Sequence, residues 1–153
     1  MRYAHFGGHY LKNKAMKNFN WSVRIYYEDT DAGGVVYYAN YLKFFERART
    51  EMLRAMGYEQ DELIATESII FVVRSVQVDY LSPARFNEQL QVSAEVSLAK
   101  KASLTFEQVI TRGDDVLCRG SVRIACLDAQ TMRPKAIPET LFRTFLEHTI
   151  NEY

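Results

Sequence analysis

Hydrophobic and polar residues alternate with a period of two along most of the chain, and the period lengthens to three or four residues in one long stretch. Residues 21–27 form the first strand-like run, which leads into a polar loop at 28–34. The longer period then predicts a helix that ends near Gly57. Its apolar stripe consists of Tyr41, Phe45, Ala48, Met52 and Met56.

Four more strands and a final helix are predicted after a short helical turn at residues 61–66. The strands cover residues 70–82, 90–98, 104–110 and 116–126, and the final helix runs from Pro138 through His148. The first of these strands is expected to present Val72, Val76, Val78 and Tyr80 on one face. Arg74 interrupts that face, which suggests a buried ion pair or an interface contact.

The short connections at 99–102 and 112–115 indicate an antiparallel meander. Five strands and one long helix predict an α+β fold in which the helix covers one face of the sheet. A chain of 153 residues fits a single domain, expected over 21–150. Residues 1–20 carry four basic side chains and no acidic one, and are expected to form a flexible extension.

Composition excludes several classes of protein. The 19 basic and 19 acidic side chains cancel, which argues against a nucleic-acid partner. No apolar run approaches the roughly 20 residues of a membrane span, so a soluble protein is expected. Cys118 and Cys126 lie in one strand, roughly 26 Å apart at about 3.3 Å per residue, and cannot pair there. Unpaired thiols favour the cytoplasm.

Carboxylates are the strongest candidates for chemistry. Motifs of serine hydrolases and of nucleotide-binding loops are absent, and His5, His9 and His148 lack the spacing of a metal site, so no metal is expected. Three carboxylates, those of Glu28, Asp29 and Asp31, fall within four residues of the polar loop. Turn formation and the positive end of a helix account for such acids equally well, and composition alone favours that structural explanation.

A longer pattern changes this balance. The segment 27–37, with the sequence YEDTDAGGVVY, together with Asn40-Tyr41 and residues 45–51, resembles the 4-hydroxybenzoyl-CoA thioesterase family. Within that family the YbgC-type acyl-CoA thioesterases of the Tol-Pal cluster are the most similar. The resemblance extends over about residues 21–145 and includes the segments 71–74, 82–85 and 134–138.

The resemblance implies a hot-dog fold, in which an antiparallel sheet wraps around one long helix. It also implies a homodimer, or a dimer of dimers (a homotetramer), with active sites at the subunit interface. Asp31 matches the family's catalytic carboxylate, acting as nucleophile or as general base, and the N–H of Tyr38 is expected to polarise the thioester carbonyl. Gly33, Gly34 and Tyr38 would line the substrate pocket.

Coenzyme A would enter as part of the substrate, so the resemblance implies no separate cofactor. Lys100 and Lys101 match a turn that contacts the phosphates of coenzyme A in the family, although two lysines in an exposed turn are also ordinary. YbgC-type proteins commonly carry histidine where this chain has Tyr38, which leaves the acyl preference open. The location implied is the bacterial cytoplasm, near the inner membrane.

Two other functions are compatible with the same fold. A dehydratase or hydratase would need a histidine near the long helix, and none lies between His9 and His148. A module that binds an acyl carrier protein or a membrane-associated partner, with little turnover, is the stronger alternative. The aspartate at position 31 favours catalysis.

Overall fold

The computed structural model describes residues 19–149. Its elements follow in the order β1 (Asn20–Arg24), α1 (Asn40–Ala55), α2 (Gln60–Glu67), β2 (Ile69–Tyr80), β3 (Gln89–Ser93), β4 (Glu95–Lys100), β5 (Ser103–Arg112), β6 (Asp115–Asp128) and α3 (Glu139–Glu147). Of the predicted extension over residues 1–20, including His5 and His9, residues 1–18 lie outside the described part. Phe19 is buried, and Asn20 begins β1.

The strands form one antiparallel sheet in the order β1-β3-β5-β6-β2, and β4 also pairs with β5. The sheet packs around α1, whose buried side chains include Tyr41, Phe44, Phe45, Ala48, Met52 and Leu53. Burying each large apolar side chain contributes about 1.5–3 kcal/mol. The predicted α+β class, the long helix and the antiparallel meander are therefore confirmed.

Contact between helix and sheet is closest at Gly120 of β6. A Cβ atom built there would lie 2.5 Å from Cε2 of Phe45, a buried residue of α1. Only a residue without a side chain lets the helix approach the sheet this closely. The approach fixes the depth of α1 in the concave face.

The first predicted strand is too long. Strand β1 ends at Arg24, and a 3₁₀ turn occupies Tyr27–Asp29. The carboxylate of Asp29 turns the chain, because its Oδ2 accepts a hydrogen bond of 2.8 Å from the Tyr26 N–H.

The predicted strand over 90–98 is also wrong in one respect, because it is two strands separated by Ala94. The Ser93 hydroxyl accepts the Val109 N–H at 3.0 Å, and the Ser93 carbonyl accepts Nε2 of Gln108 at 3.1 Å. Side chains thus replace part of the backbone ladder at this point. The sheet has six strand segments instead of five.

Strand β2 contains a bulge that changes which residues face the helix. The pairing with β6 shifts between Val73 and Ser75, so Arg74 is an extra residue. Val72 therefore lies on the opposite face from Val76, Val78 and Tyr80, contrary to the predicted shared face. Arg74 is exposed, and within residues 19–149 no acidic group forms an ion pair with it, so the predicted buried pair is wrong.

Candidate active site

The segment between β1 and α1 folds into a tight hairpin that presents Asp31. Thr30 and Val36 form an antiparallel bridge, and the Asp31 N–H donates to the Val35 carbonyl at 2.9 Å. The Asp31 carbonyl accepts the Gly34 N–H at 3.0 Å, which closes the turn. Gly34 has φ +82°, a conformation that favours glycine. The glycine pair predicted to line the pocket thus builds the turn beside Asp31.

The Asp31 side chain is exposed and held by one oxygen. Its Oδ1 accepts a hydrogen bond of 2.8 Å from the Gly33 N–H. A Cβ at Gly33 would lie 3.3 Å from that oxygen, a tight contact. Among residues 19–149 no group donates a hydrogen bond to the other oxygen, Oδ2. One carboxylate oxygen is therefore anchored while the second is available for chemistry.

Asp29, the first aspartate of the pair, has a structural role. Besides accepting the Tyr26 N–H, it accepts two hydrogen bonds at its carbonyl, from the Tyr37 N–H and from Nδ2 of Asn40, each at 2.9 Å. These contacts join the 3₁₀ turn to the start of α1. Asp29 therefore fixes the frame in which Asp31 stands.

The N-terminus of α1 supplies backbone donors. The first hydrogen bonds of the helix run from the Asn40 N–H to the Tyr37 carbonyl at 2.8 Å and from the Tyr41 N–H to the Tyr38 carbonyl at 3.3 Å. Within the described residues the Tyr38 N–H has no acceptor, as is usual at a helix start. The helix dipole adds partial positive charge at this point.

Asp31 and Tyr38 belong to the same antiparallel turn. Asp31 pairs with Val35, and Tyr37 pairs with Asp29, so Tyr38 follows two to three residues along the ladder from Asp31. At about 3.3 Å per residue this is roughly 7–10 Å of backbone. The Asp31 side chain covers part of that distance, which leaves room for a small planar group between the carboxylate and the N–H.

Aromatic rings surround the helix start. The Tyr38 ring is 60% exposed and meets Tyr80 of β2 edge to face, with the ring centroids 6.0 Å apart. Tyr37 lies on its other side at 5.0 Å. An apolar or aromatic acyl group would meet these rings first.

A buried tyrosine ties the hairpin to the rest of the domain, a role that the sequence pattern did not reveal. The Val36 N–H donates to the Ala84 carbonyl at 2.9 Å, and the Ala84 N–H donates to the Tyr41 hydroxyl at 3.0 Å. Burial raises the pKa of Tyr41, so the hydroxyl stays neutral. The only sequence signal was a tyrosine within an otherwise apolar helix stripe.

The remaining predicted site residues lie elsewhere. Lys100 and Lys101 are exposed at the turn between β4 and β5, and in the described part of the chain no hydrogen bond or ion pair joins them to the Asp31 hairpin. Residues 19–149 contain no group of three His, Cys, Asp or Glu side chains able to hold a metal ion. None of the described helices is long and apolar enough to cross a membrane.

Comparison with known proteins adds the family to this geometry. The sequence profile of the thioesterase-like superfamily matches residues 25–145. The chain belongs to this superfamily. Its fold is accordingly a hot-dog fold, in which the sheet wraps around α1, as the resemblance implied.

Individual members of the superfamily are similar over most of their length. The acyl-CoA thioesterase YbgC of Haemophilus influenzae is 45% identical over 127 residues, covering 83% of this chain and 93% of the relative. The acyl-CoA thioester hydrolase YbgC of Escherichia coli is 44% identical over 128 residues, covering 83% and 95%. A crystal structure of a probable thioesterase from Bartonella henselae superposes with a TM-score of 0.76 at 34% identity, covering 79% of this chain and 99% of that one.

Proposed function

We propose that this chain hydrolyses acyl-CoA thioesters to a carboxylic acid and coenzyme A. The observation that carries the proposal is the Asp31 carboxylate, anchored through Oδ1 by the Gly33 N–H and placed beside a helix start with an unengaged Tyr38 N–H. The identity of 44–45% to proteins named acyl-CoA thioesterase or hydrolase supports the substrate class.

Each half of the site has a separate task in this mechanism. The thioester carbonyl lies between Asp31 and Tyr38, about 3 Å from each. Its oxygen accepts the Tyr38 N–H and gains negative charge as the carbonyl carbon becomes tetrahedral. The helix dipole stabilises that charge, and it is already oriented before the reaction begins.

Asp31 starts the reaction in one of two ways. As nucleophile, Oδ2 bonds to the carbonyl carbon, the carbon–sulfur bond breaks, coenzyme A leaves as thiolate, and water then hydrolyses the acyl-aspartyl anhydride. As general base, Oδ2 takes a proton from a water molecule that attacks the same carbon, and the thiolate leaves with that proton. Both routes use the free oxygen and leave Oδ1 on Gly33.

Binding of coenzyme A is the least constrained part of the proposal. Lys100 and Lys101 are exposed on a rigid hairpin turn, where the Lys101 carbonyl is held by the Ile137 N–H at 2.9 Å. Their charge suits phosphate groups. An acyl carrier protein would present the same thioester on a phosphopantetheine arm, so it remains a second candidate donor of the acyl group.

We further propose a homodimer that pairs through β2, which also serves a dimer of dimers. Strand β2 forms one edge of the sheet, is 12 residues long, and exposes Val73, Val76 and Tyr80. A long apolar edge strand pairs readily with another chain. The free, buried Cys118 and Cys126 suit a reducing cytoplasm. An association with the Tol-Pal system or the inner membrane stays a prediction from the family resemblance.

The test is release of free thiol from short, long and aromatic acyl-CoAs, measured with purified wild-type protein and with Asp31→Asn. The expected result is turnover of at least one substrate and a loss of about 100-fold or more in Asp31→Asn. No turnover on any member, together with co-purification of an acyl carrier protein, would overturn the proposal and favour the binding module.

A further inference from the structure

A cavity of about 220 Å³ lies between α1 and the sheet, apart from the Asp31 hairpin. A cavity of about 150 Å³ holds a benzene ring, so this one admits an aromatic or short aliphatic group. One wall is apolar and comprises Met52, Leu53, Phe71, Val73, Leu104, Phe106, Ile124 and Phe145. The other wall is polar and comprises Glu46, Arg49, Thr50 and Gln60.

Arg49 is the unusual member of the polar wall. Its half-buried guanidinium donates one hydrogen bond, of 3.0 Å, to Oε1 of Gln108. Gln108 is 1% exposed and is itself fixed, because its Nε2 donates to the Phe45 carbonyl at 3.0 Å and to the Ser93 carbonyl at 3.1 Å. No carboxylate within residues 19–149 lies at ion-pair distance from Arg49.

The other polar groups of the wall already satisfy one another. The Thr50 hydroxyl donates to Oε2 of Glu46 at 2.6 Å, and Nε2 of Gln60 donates to that hydroxyl at 3.1 Å. Glu46 is exposed at the cavity mouth, where water screens its charge. The unmet need of the cavity is therefore an acceptor for Arg49.

A buried guanidinium is strongly destabilised when its donors have no acceptor. Burial lowers the pKa of Arg49, and the charge of Glu46 only partly opposes this. Arginine still remains charged in proteins, and its planar donors match the two oxygens of a carboxylate. A ligand that supplies a carboxylate and an apolar body would complete both walls.

We propose that this cavity binds a carboxylic acid, with the carboxylate on Arg49 and the apolar body against Phe71, Leu104 and Phe106. The assignment rests on the proposed function only for the origin of the acid, because thioester hydrolysis releases an acid of this class. Arg49 thereby becomes a product-binding residue, separate from the carboxylate that carries out the chemistry.

Calorimetric titration with benzoate and its neutral analogue benzamide tests the proposal. Wild-type protein is expected to bind benzoate about tenfold or more tightly than benzamide, and Arg49→Gln is expected to lose that preference. Arg47→Gln is the matched control, because Arg47 is an exposed arginine of the same helix, and it should retain the preference. Equal affinity for the two ligands, no saturable benzoate binding, or unchanged benzoate affinity in Arg49→Gln would each overturn the proposal.

Two further measurements protect the test. Should Arg49→Gln fail to fold, amide shifts of the wild-type protein decide: changes at Arg49 and Phe71 on adding benzoate support the site, and changes confined to other regions refute it. Asp31→Asn should bind benzoate normally, so a failure of the proposed hydrolysis is distinguishable from a failure here. A changed oligomeric mass in Arg49→Gln with unchanged benzoate affinity would instead assign Arg49 to a subunit contact.

Discussion

Replacing Tyr41 by phenylalanine tests how the catalytic hairpin is held. The change removes one oxygen atom and leaves the ring of Tyr41 in place. The Ala84 N–H, which donates to that oxygen at 3.0 Å, then loses its acceptor in a position where Ala84 is fully buried. An unsatisfied buried donor costs about 1–3 kcal/mol. At about 3 °C per kcal/mol for a domain of this size, the melting temperature should fall by roughly 3–9 °C.

The effect should extend to activity, because the Ala84 carbonyl holds the Val36 N–H of the Asp31 hairpin. Urea denaturation and thiol-release assays on the same preparation measure both. The control is Tyr27→Phe: this tyrosine is 75% exposed, and the change should alter stability by less than about 0.5 kcal/mol. A Tyr41→Phe protein as stable as wild type, or a Tyr27→Phe protein equally weakened, would refute the argument.

Three further predictions concern other parts of the molecule. Tyr38→Phe should keep kcat/KM within about threefold of wild type, because the proposed donor is the backbone N–H; a loss of about 100-fold would implicate the hydroxyl. Gly120→Ala should lower the urea midpoint by about 1–3 kcal/mol in stability, since its Cβ meets the Phe45 ring, and adding Phe45→Leu should restore part of this. Burial raises the pKa of Cys118 to about 12 and that of Cys126 to about 11, from an ordinary 9.0. The unfolded chain therefore loses these protons first as the pH rises, so stability is full below about pH 9 and falls above it; equal urea midpoints at about pH 8 and about pH 10 would contradict this.

The long helix was predictable because its apolar period is strong and uninterrupted. The predicted stripe nevertheless omitted Phe44 and Leu53, which are both buried. A concave sheet surrounds more of a helix than a flat surface does, and that curvature depends on the tertiary arrangement of the strands. Local periodicity carries no information about it.

Strand irregularities were not predictable for a related reason. The bulge at Arg74 reverses the facing of Val72, and the break at Ala94 depends on bonds from Ser93 to Gln108 and Val109. Those partners lie 15 and 16 residues away in the sequence. Alternation within a strand predicts its existence, whereas such long-range bonds decide where its register changes.

The candidate site was predictable in its residues and not in its support. The family resemblance pointed to Asp31, Tyr38 and the two glycines, and the turn chemistry of glycine beside aspartate agrees with the hairpin seen here. Attachment of that hairpin through Ala84 to the Tyr41 hydroxyl joins segments 43 residues apart. An apolar stripe cannot show that one of its members acts through a polar atom.

The most direct test of the central claim compares kcat/KM of wild type, Asp31→Asn and Glu28→Gln on the best acyl-CoA substrate. Glu28 is an exposed carboxylate three residues from Asp31, so its variant removes a similar charge from the same loop. We predict a loss of about 100-fold or more for Asp31→Asn and a change of less than about tenfold for Glu28→Gln. Equal activity of Asp31→Asn and wild type, or equal losses in both variants, would contradict the assignment of Asp31 as the catalytic carboxylate.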